Sequence, residues 1–294
     1  VICMDKTGTV TEGRLRMLTV SDGTQDADAS SLTPALRGVV AAALRACAEP
    51  RPGHLPDAMD EALAHGAARA GTTARDGADG FRAGAELPFE ARRRMHAVLA
   101  FFDGGTVLTA KGAPEIIVER SSDHVAEGVV SPLGDADREA LLAHAHALGG
   151  QGLRVLAVAE RRMPGGTIPV GKKLTEDEVG GLTFLGFVAF RDPVRPTARH
   201  LVAQLRLAGV RVVMVTGDHP STAQAIASEL GMLDAGGVLT GAELERLTDE
   251  ELAARVSTTS VVARTTPSHK VRIVRALQRA GRTVAMAGDG ANDA

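Results

Sequence analysis

The sequence predicts an α/β protein whose parallel sheet is split by an inserted α+β domain with a mainly antiparallel sheet. Three observations lead there. From about residue 190 onward, short apolar runs alternate with helical patterns, the mark of βαβ units. The stretch before it, roughly residues 16 to 187, instead carries strands separated by turns. Val1 to Met4 reads as a buried strand ahead of that different stretch, which makes the α/β domain discontinuous. The expected boundaries are 1–15 with 188–294 for the α/β domain and 16–187 for the insertion.

Taken in order, Val1 to Met4 runs into the polar loop Asp5-Lys6-Thr7-Gly8-Thr9, and the Gly/Ala/Asp-rich stretches at 21 to 31 and 71 to 80 read as loops. Ala97 to Phe102, Val107 to Ala110 and Arg154 to Ala159 read as strands, with Asp103-Gly104-Gly105 closing a hairpin between the first two. The chain is expected to return to the α/β domain near Arg191-Asp192-Pro193. Arg211 to Val215 is then a strand, and Ala223, Ile226, Ala227 and Leu230 give one helix face that stops at Gly231. Thr248 with Glu251 forms a capping box. Ser260 to Ala263 is a strand, Thr266-Pro267 opens a helix with Val271, Val274 and Leu277 facing inward, and Thr283 to Ala287 is the next strand.

At 294 residues the chain is long enough for two domains. A formal net charge of -3, from 33 basic and 36 acidic residues, argues against a polyanion-binding surface and so against a nucleic-acid partner. Cys3 and Cys47 make no disulfide framework and no metal-ligand spacing, which suits a reducing compartment. The longest apolar stretch, Leu182 to Phe190 with Gly186 inside it, is about half the length of a membrane-spanning helix. With no secretory signal, and Val1 rather than methionine at the start, the expectation is a soluble piece excised from a longer chain.

The strands of the α/β part lead directly into polar loops: Asp5 to Thr9, Thr216-Gly217-Asp218, Arg264, and Gly288-Asp289-Gly290. In an open α/β sheet, loops beyond the carboxyl ends of the strands form the ligand crevice. Ordinary strand-to-helix turns also favour Gly, Asp and Thr, but so many carrying phosphate and magnesium chemistry points to a site. A carboxylate at a strand end can attack a phosphoryl group, and the Gly and Thr residues after it can turn backbone N–H groups toward phosphate oxygens.

DKTGT at 5 to 9, KGAPE at 111 to 115, DPVR at 192 to 195, TGD at 216 to 218 and GDGAND at 288 to 293 together resemble the ordered motif set of P-type ATPases, across essentially the whole chain. KGAPE with DPVR resembles the branch that pumps cations such as calcium rather than the soft-metal branch. The resemblance implies a haloacid-dehalogenase-like phosphorylation domain split by a nucleotide-binding domain. It implies Mg²⁺ and ATP as cofactors, and location at the cytoplasmic face of the cell membrane. It also implies transmembrane and actuator domains elsewhere in the same parent chain, without which the excised piece is catalytically incomplete.

Residue by residue, the resemblance makes Asp5 the phosphoryl acceptor and a metal ligand, with Thr7 offering its backbone carbonyl to Mg²⁺ and Asp289 its carboxylate. Asp293 orients the same metal site and Asn292 bonds to it. Lys6, Thr9 and Gly217 belong to the same catalytic loops. Lys270, within Pro-Ser-His-Lys, matches the lysine that contacts phosphoryl oxygens; Thr216 offers a hydroxyl to the phosphate, and Asp218 lies near ATP. Asp192, Arg195 and Arg264 are further nucleotide candidates. In the insertion, Lys111 follows a strand beside Gly112, which lets adenine approach the backbone. Phe89 resembles the aromatic that stacks on adenine, and Arg154 matches a phosphate-contacting arginine. The segment from Phe89 to Met95 is one residue shorter than the family spacing, so either Arg92 or Arg93 fills the basic position.

Two rivals remain on the sequence. A phosphatase of the same superfamily needs a second aspartate two residues after the nucleophile as general acid, worth about 10²–10⁴-fold, and Thr7 stands there. A nucleotide-sensing module without chemistry is disfavoured by Asp5, Lys270 and Asp289 all being present. The pair His144 and His146 points to opposite sides of a helix and reads as surface. Thr175 to Glu178 reads as a solvated turn or helix start.

Overall fold

The computed structural model describes residues 1–47, 57–126, 128–165 and 172–288. Asp289, Asn292 and Asp293 lie outside the described residues. Strand β1 (Ile2–Asp5) opens the chain and passes into a wide turn over Lys6–Val10. There follow β2 (Arg16–Ser21), β3 (Asp26–Asp28), α1 (Pro34–Arg45), α2 (Ala58–Arg69), β4 (Arg82–Glu90), β5 (Met95–Phe102) and β6 (Gly105–Gly112). Next come α3 (Pro114–Glu119), β7 (Ser121–Ala126), β8 (Val129–Pro132), α4 (Asp135–Gly150), β9 (Arg154–Pro164) and β10 (Leu182–Arg191). The remainder alternates: α5 (Ala198–Leu207), β11 (Val212–Val215), α6 (Pro220–Glu229), β12 (Val238–Thr240), α7 (Gly241–Arg246), α8 (Asp249–Val256), β13 (Val261–Ala263), α9 (Pro267–Arg279) and β14 (Ala285–Ala287).

The chain divides into two compact units. Unit 1 comprises Val1–Arg14, Gly149–Gly152 and the chain from Asp192 on; unit 2 comprises Leu15–Leu148 and Leu153–Arg191. In unit 1 the strands form one five-stranded parallel sheet in the order β12-β13-β11-β1-β14. Both faces are covered. Met4, Val212 and Met214 pack with α5 and α6 on one side, while Cys3, Val213 and Val215 pack with α7, α8 and α9 on the other. That period-2 division makes each strand apolar throughout, as parallel strands buried on both faces require. Burial also pushes the Cys3 thiol up to about 11, which leaves it protonated and inert.

Unit 2 is a nine-stranded sheet, mainly antiparallel, in the order β3-β2-β10-β9-β6-β5-β4, with β7 pairing β10 in parallel and β8 on β7. One face packs on α3 and α4 through Ile117, Leu141, Phe184 and Phe187; the other packs on α1 and α2 through Val40, Leu63, Val188 and Phe190. The observed architecture is therefore mixed α/β, with a parallel and an antiparallel sheet.

Several local expectations are corrected. On α9 the buried face is His269, Lys270, Ile273, Ala276 and Leu277; Val271 and Val274 are only half-buried, because the helix is turned to carry Lys270 inward. The 21 to 31 stretch holds β3, which pairs with β2 across Thr19–Asp28 and Ser21–Asp26. His144 is half-buried rather than freely exposed: its ring stacks on Phe187 with centroids 6.0 Å apart. Ser21 Oγ and Asp26 Oδ1 both approach His144 Nε2, at 3.0 and 2.8 Å. A Ser-His-Asp triad uses both ring nitrogens, so this cluster is a staple between α4 and the β2–β3 edge. His146 is exposed, as expected, and Thr175 to Glu178 forms a short 3₁₀ turn with a capping box.

Candidate functional site

The site in unit 1 starts from the way β1 ends. Asp5 is the last residue of the strand, 8 % exposed, and its Oδ1 accepts the Lys6 N–H at 2.9 Å. The backbone closes a wide turn through Thr11 N–H to the Lys6 carbonyl at 2.9 Å, and Gly8 supplies the φ of +71° that a residue with a Cβ would resist. Lys6 points inward, its Nζ 2.9 Å from Asp218 Oδ2. Lys270 Nζ stands 3.2 Å from Asp5 Oδ2, both side chains nearly buried.

Each neighbouring loop is tied to this turn. Thr11 Oγ1 donates to the buried Asp192 Oδ2 at 2.6 Å, and Asp192 Oδ1 accepts the Arg14 N–H at 3.2 Å. The exposed guanidinium of Arg195 donates to the carbonyls of Gly8 and Thr9, at 2.7 and 3.1 Å. Beyond β11, buried Thr216 takes the Asp218 N–H on its Oγ1 at 3.1 Å, and its backbone bonds to Val262 and Thr265. Gly217 is exposed between them. Exposed Arg264 adopts the left-handed φ of 55° and donates its N–H to the Asp218 carbonyl at 3.0 Å. Exposed Thr7 and half-buried Thr9 complete the loop. The structure brings these candidate loops together in unit 1, whereas Thr11 and the clamp through Asp192 and Arg195 were not legible: they depend on pairs more than 175 residues apart.

Unit 2 holds the other candidates. Lys111 and Gly112 do not follow β6 but end it, cross-strand from His96 and Met95. The Lys111 ammonium is buried against Asp60 Oδ1 and lies 3.0 Å from Cys47 Sγ. A Cβ on Gly112 would sit 2.4 Å from the Arg94 carbonyl, so close backbone packing by itself demands glycine there. Phe89, on β4, is 60 % exposed. Half-buried Arg93 lies in the β4–β5 turn with its guanidinium on the Pro88 carbonyl at 2.6 Å and on Glu90; Arg92 beside it is exposed. Arg154, exposed, starts β9 opposite Phe190.

Sequence reasoning missed Asp60, Cys47 and His96, which surround Lys111 by tertiary packing and carry no local signal. Burial first, then the Lys111 charge, holds the His96 ring below its ordinary 6.5, against the pull of Glu86 at 3.2 Å. A histidine depressed in the folded state leaves stability intact above 6.5 and removes it as pH falls from there through the folded value. Unit 2 is therefore expected to lose melting temperature as pH falls below about 6.5, and His96→Asn to lose less. Equal losses in both proteins would show that His96 is not the acid-sensitive group.

In the order β13-β11-β1-β14, the chain leaves β1 toward β11 on one side and returns to β14 on the other, so Asp5 stands at the point where the sheet order reverses. That placement defines a parallel α/β unit with Asp5 at the topological switch point, the position where open α/β sheets bind their ligands. The comparisons agree on the family. Residues 51–197 match the family described as P-type ATPase, cytoplasmic domain N. A probable cation-transporting ATPase I of Mycobacterium tuberculosis is 39% identical over 305 residues, spanning 100% of this chain and 18% of the relative. Calcium-transporting ATPases of Lactococcus lactis and Bacillus subtilis are each 33% identical, again over 100% of this chain and over 34% and 36% of their own lengths. The chain belongs to the P-type ATPases. It spans about a fifth to a third of the length of these curated relatives. Among the described residues no helix is long and apolar enough to cross a membrane.

Proposed function

We propose that this chain binds Mg·ATP and transfers the γ-phosphate to Asp5, as the catalytic part of a cation pump at the cytoplasmic face of a membrane. The observation that carries the reading is the Asp5 carboxylate at the head of a central parallel strand, with Lys270 Nζ 3.2 Å away. An Asp5 oxygen forms the new bond to the γ-phosphorus as the bond to the bridging oxygen breaks, and ADP leaves with that electron pair. Lys270, Thr216 and the loop N–H groups offset the charge on the transferred oxygens. Lys6, fixed by Asp218, keeps the loop in register, and Arg195 with Asp192 holds it from behind.

The described donors suit Mg²⁺, since the Asp5 carboxylate and the Thr7 carbonyl are hard oxygens in one turn; Asp289 and Asp293, outside the described residues, are proposed as further ligands. Bound there, the metal would neutralise phosphoryl charge. The split parallel sheet supports a haloacid-dehalogenase-like domain interrupted by a nucleotide-binding one. Phe89, Lys111, Gly112, Arg154 and Arg93 are proposed to hold ATP in unit 2, while Asp192, Arg195 and Arg264 are proposed as nucleotide-related residues of unit 1. The ion pathway and the actuator are proposed to belong to other parts of the parent chain. A phosphatase reading is weaker, since Thr7 cannot act as the general acid.

Phe89→Ala tests the nucleotide half cleanly, because a side chain this exposed contributes little to folding. Stacking on a base is worth about 1–3 kcal/mol, so calorimetry is expected to show ATP affinity falling by roughly tenfold or more. Unchanged affinity would remove Phe89 from the site.

A further inference from the structure

The first turn of α9 contains a feature that the phosphoryl chemistry does not use. Thr266 is the N-cap, and its hydroxyl accepts the His269 N–H at 3.4 Å. In return, His269 Nδ1 accepts the Thr266 N–H at 3.3 Å, so a histidine fills the position where capping boxes carry Glu or Gln. A neutral ring that accepts at Nδ1 must carry its proton on Nε2, and Nε2 donates to Glu245 Oε1 of α7 at 3.0 Å. The ring is nearly enclosed, and the backbone of Gly241 lies against it: a Cβ there would come within 2.9 Å of Nδ1. The next residue is Lys270, whose ammonium pairs with Asp5.

We propose that His269 is a positioning residue for Lys270: by capping the first turn of α9 and tying it to Glu245 of α7, it sets the place from which Lys270 reaches Asp5. Helix starts fray when their N–H groups lack partners, and α9 begins with Pro267, which fixes φ but offers no donor. Without the imidazole the Thr266 N–H loses its acceptor and α7 loses its bond to the first turn of α9, keeping the one a turn further on, from the Arg272 guanidinium to the Leu244 carbonyl at 2.8 Å. Lys270, one residue further on, then samples positions away from the carboxylate. The proposal rests on the reading of Lys270 as a phosphoryl contact.

Two readouts on the whole chain separate the two ideas. Amine acylation followed by mass spectrometry reports how well Lys270 is protected, independently of activity, with buried Lys111 as the internal control. His269→Ala is expected to raise Lys270 labelling about fivefold with Lys111 unchanged, and His269→Gln, which restores a capping-box acceptor, to return it to the parent rate. Phosphoenzyme formation from γ-labelled ATP is expected to slow by a similar factor in His269→Ala while ATP affinity stays the same. Unaltered Lys270 protection in His269→Ala overturns the proposal. Should Lys111 also become reactive, signalling unfolding, Glu245→Ala decides: its side chain is 67 % exposed, and unchanged Lys270 labelling there overturns the proposal too. A parent chain that takes no phosphate label sinks the phosphoryl-transfer reading, and the acylation result still settles the role of His269.

Discussion

Replacing Asp5 by Asn is expected to reduce acid-quenched label from γ-labelled ATP to background, a loss of at least about 10⁴-fold, the scale seen when a nucleophile is removed. The amide keeps nearly the shape of the carboxylate, and its Oδ1 can still accept the Lys6 N–H that Asp5 accepts at 2.9 Å. It lacks the negative charge that makes a carboxylate oxygen nucleophilic toward phosphorus. ATP affinity should persist or rise slightly, since the repulsion between carboxylate and γ-phosphate is gone. Label on the parent chain should also be released by hydroxylamine, as acyl phosphates are. An Asp5→Asn chain that is still labelled would place the acceptor elsewhere and end the proposed mechanism.

Gly186→Ala is expected to cost unit 2 about 3 kcal/mol or more, adding backbone strain to overpacking. Gly186 sits at a register shift within β10 with φ at +154°, a conformation that L side chains rarely adopt. An added Cβ would lie 2.1 Å from the Ser21 carbonyl oxygen, a backbone atom that cannot swing aside, and 3.0 Å from a Val39 methyl. Urea melts should show a lower midpoint with an unchanged slope. A loss under about 0.5 kcal/mol, the usual range for surface changes, would mean that β2 shifts freely.

The same glycine explains part of what the sequence concealed. The β11 and β13 cores, Val212 to Val215 and Val261 to Ala263, were legible because strands buried on both faces read as unbroken apolar runs. Leu182 to Phe190 has the same character, but Gly186 interrupts it, and the run was read only as too short for a membrane. Strand β4 was hidden by Pro88, which a sheet tolerates only at an edge or irregularity, and β4 is an edge strand with its register shift at Leu87 to Glu90. In the candidate site, Asp5, Thr216, Asp218 and Arg264 could be grouped because loops beyond parallel strands converge by topology, whereas Lys270, on α9, was reached only through the resemblance of Pro-Ser-His-Lys to the family pattern. The surroundings of Lys111 were not, since Asp60 reaches it from a helix 51 positions away. The phase of α9 was misread because apolarity alone favoured Val271 and Val274, whereas the helix turns to bring a lysine inward.

The pairing of Arg16 with Arg191, where β2 meets β10, bears on how the chain folds. Ile2 must find Val212, 210 positions along the chain, before the parallel sheet can form. For a flexible loop of that length, the length-dependent closure entropy is roughly 5 kcal/mol. Once the antiparallel sheet has formed, its two ends lie on adjacent strands, and most of that loop has already been closed by contacts that reward themselves. During synthesis, β1 leaves the ribosome about 200 residues ahead of β11 and cannot pair with it until then. The strand that presents Asp5 is thus among the last to be secured, and a lesion that slows the folding of the insertion, such as Gly186→Ala, delays assembly of a sheet that it does not touch.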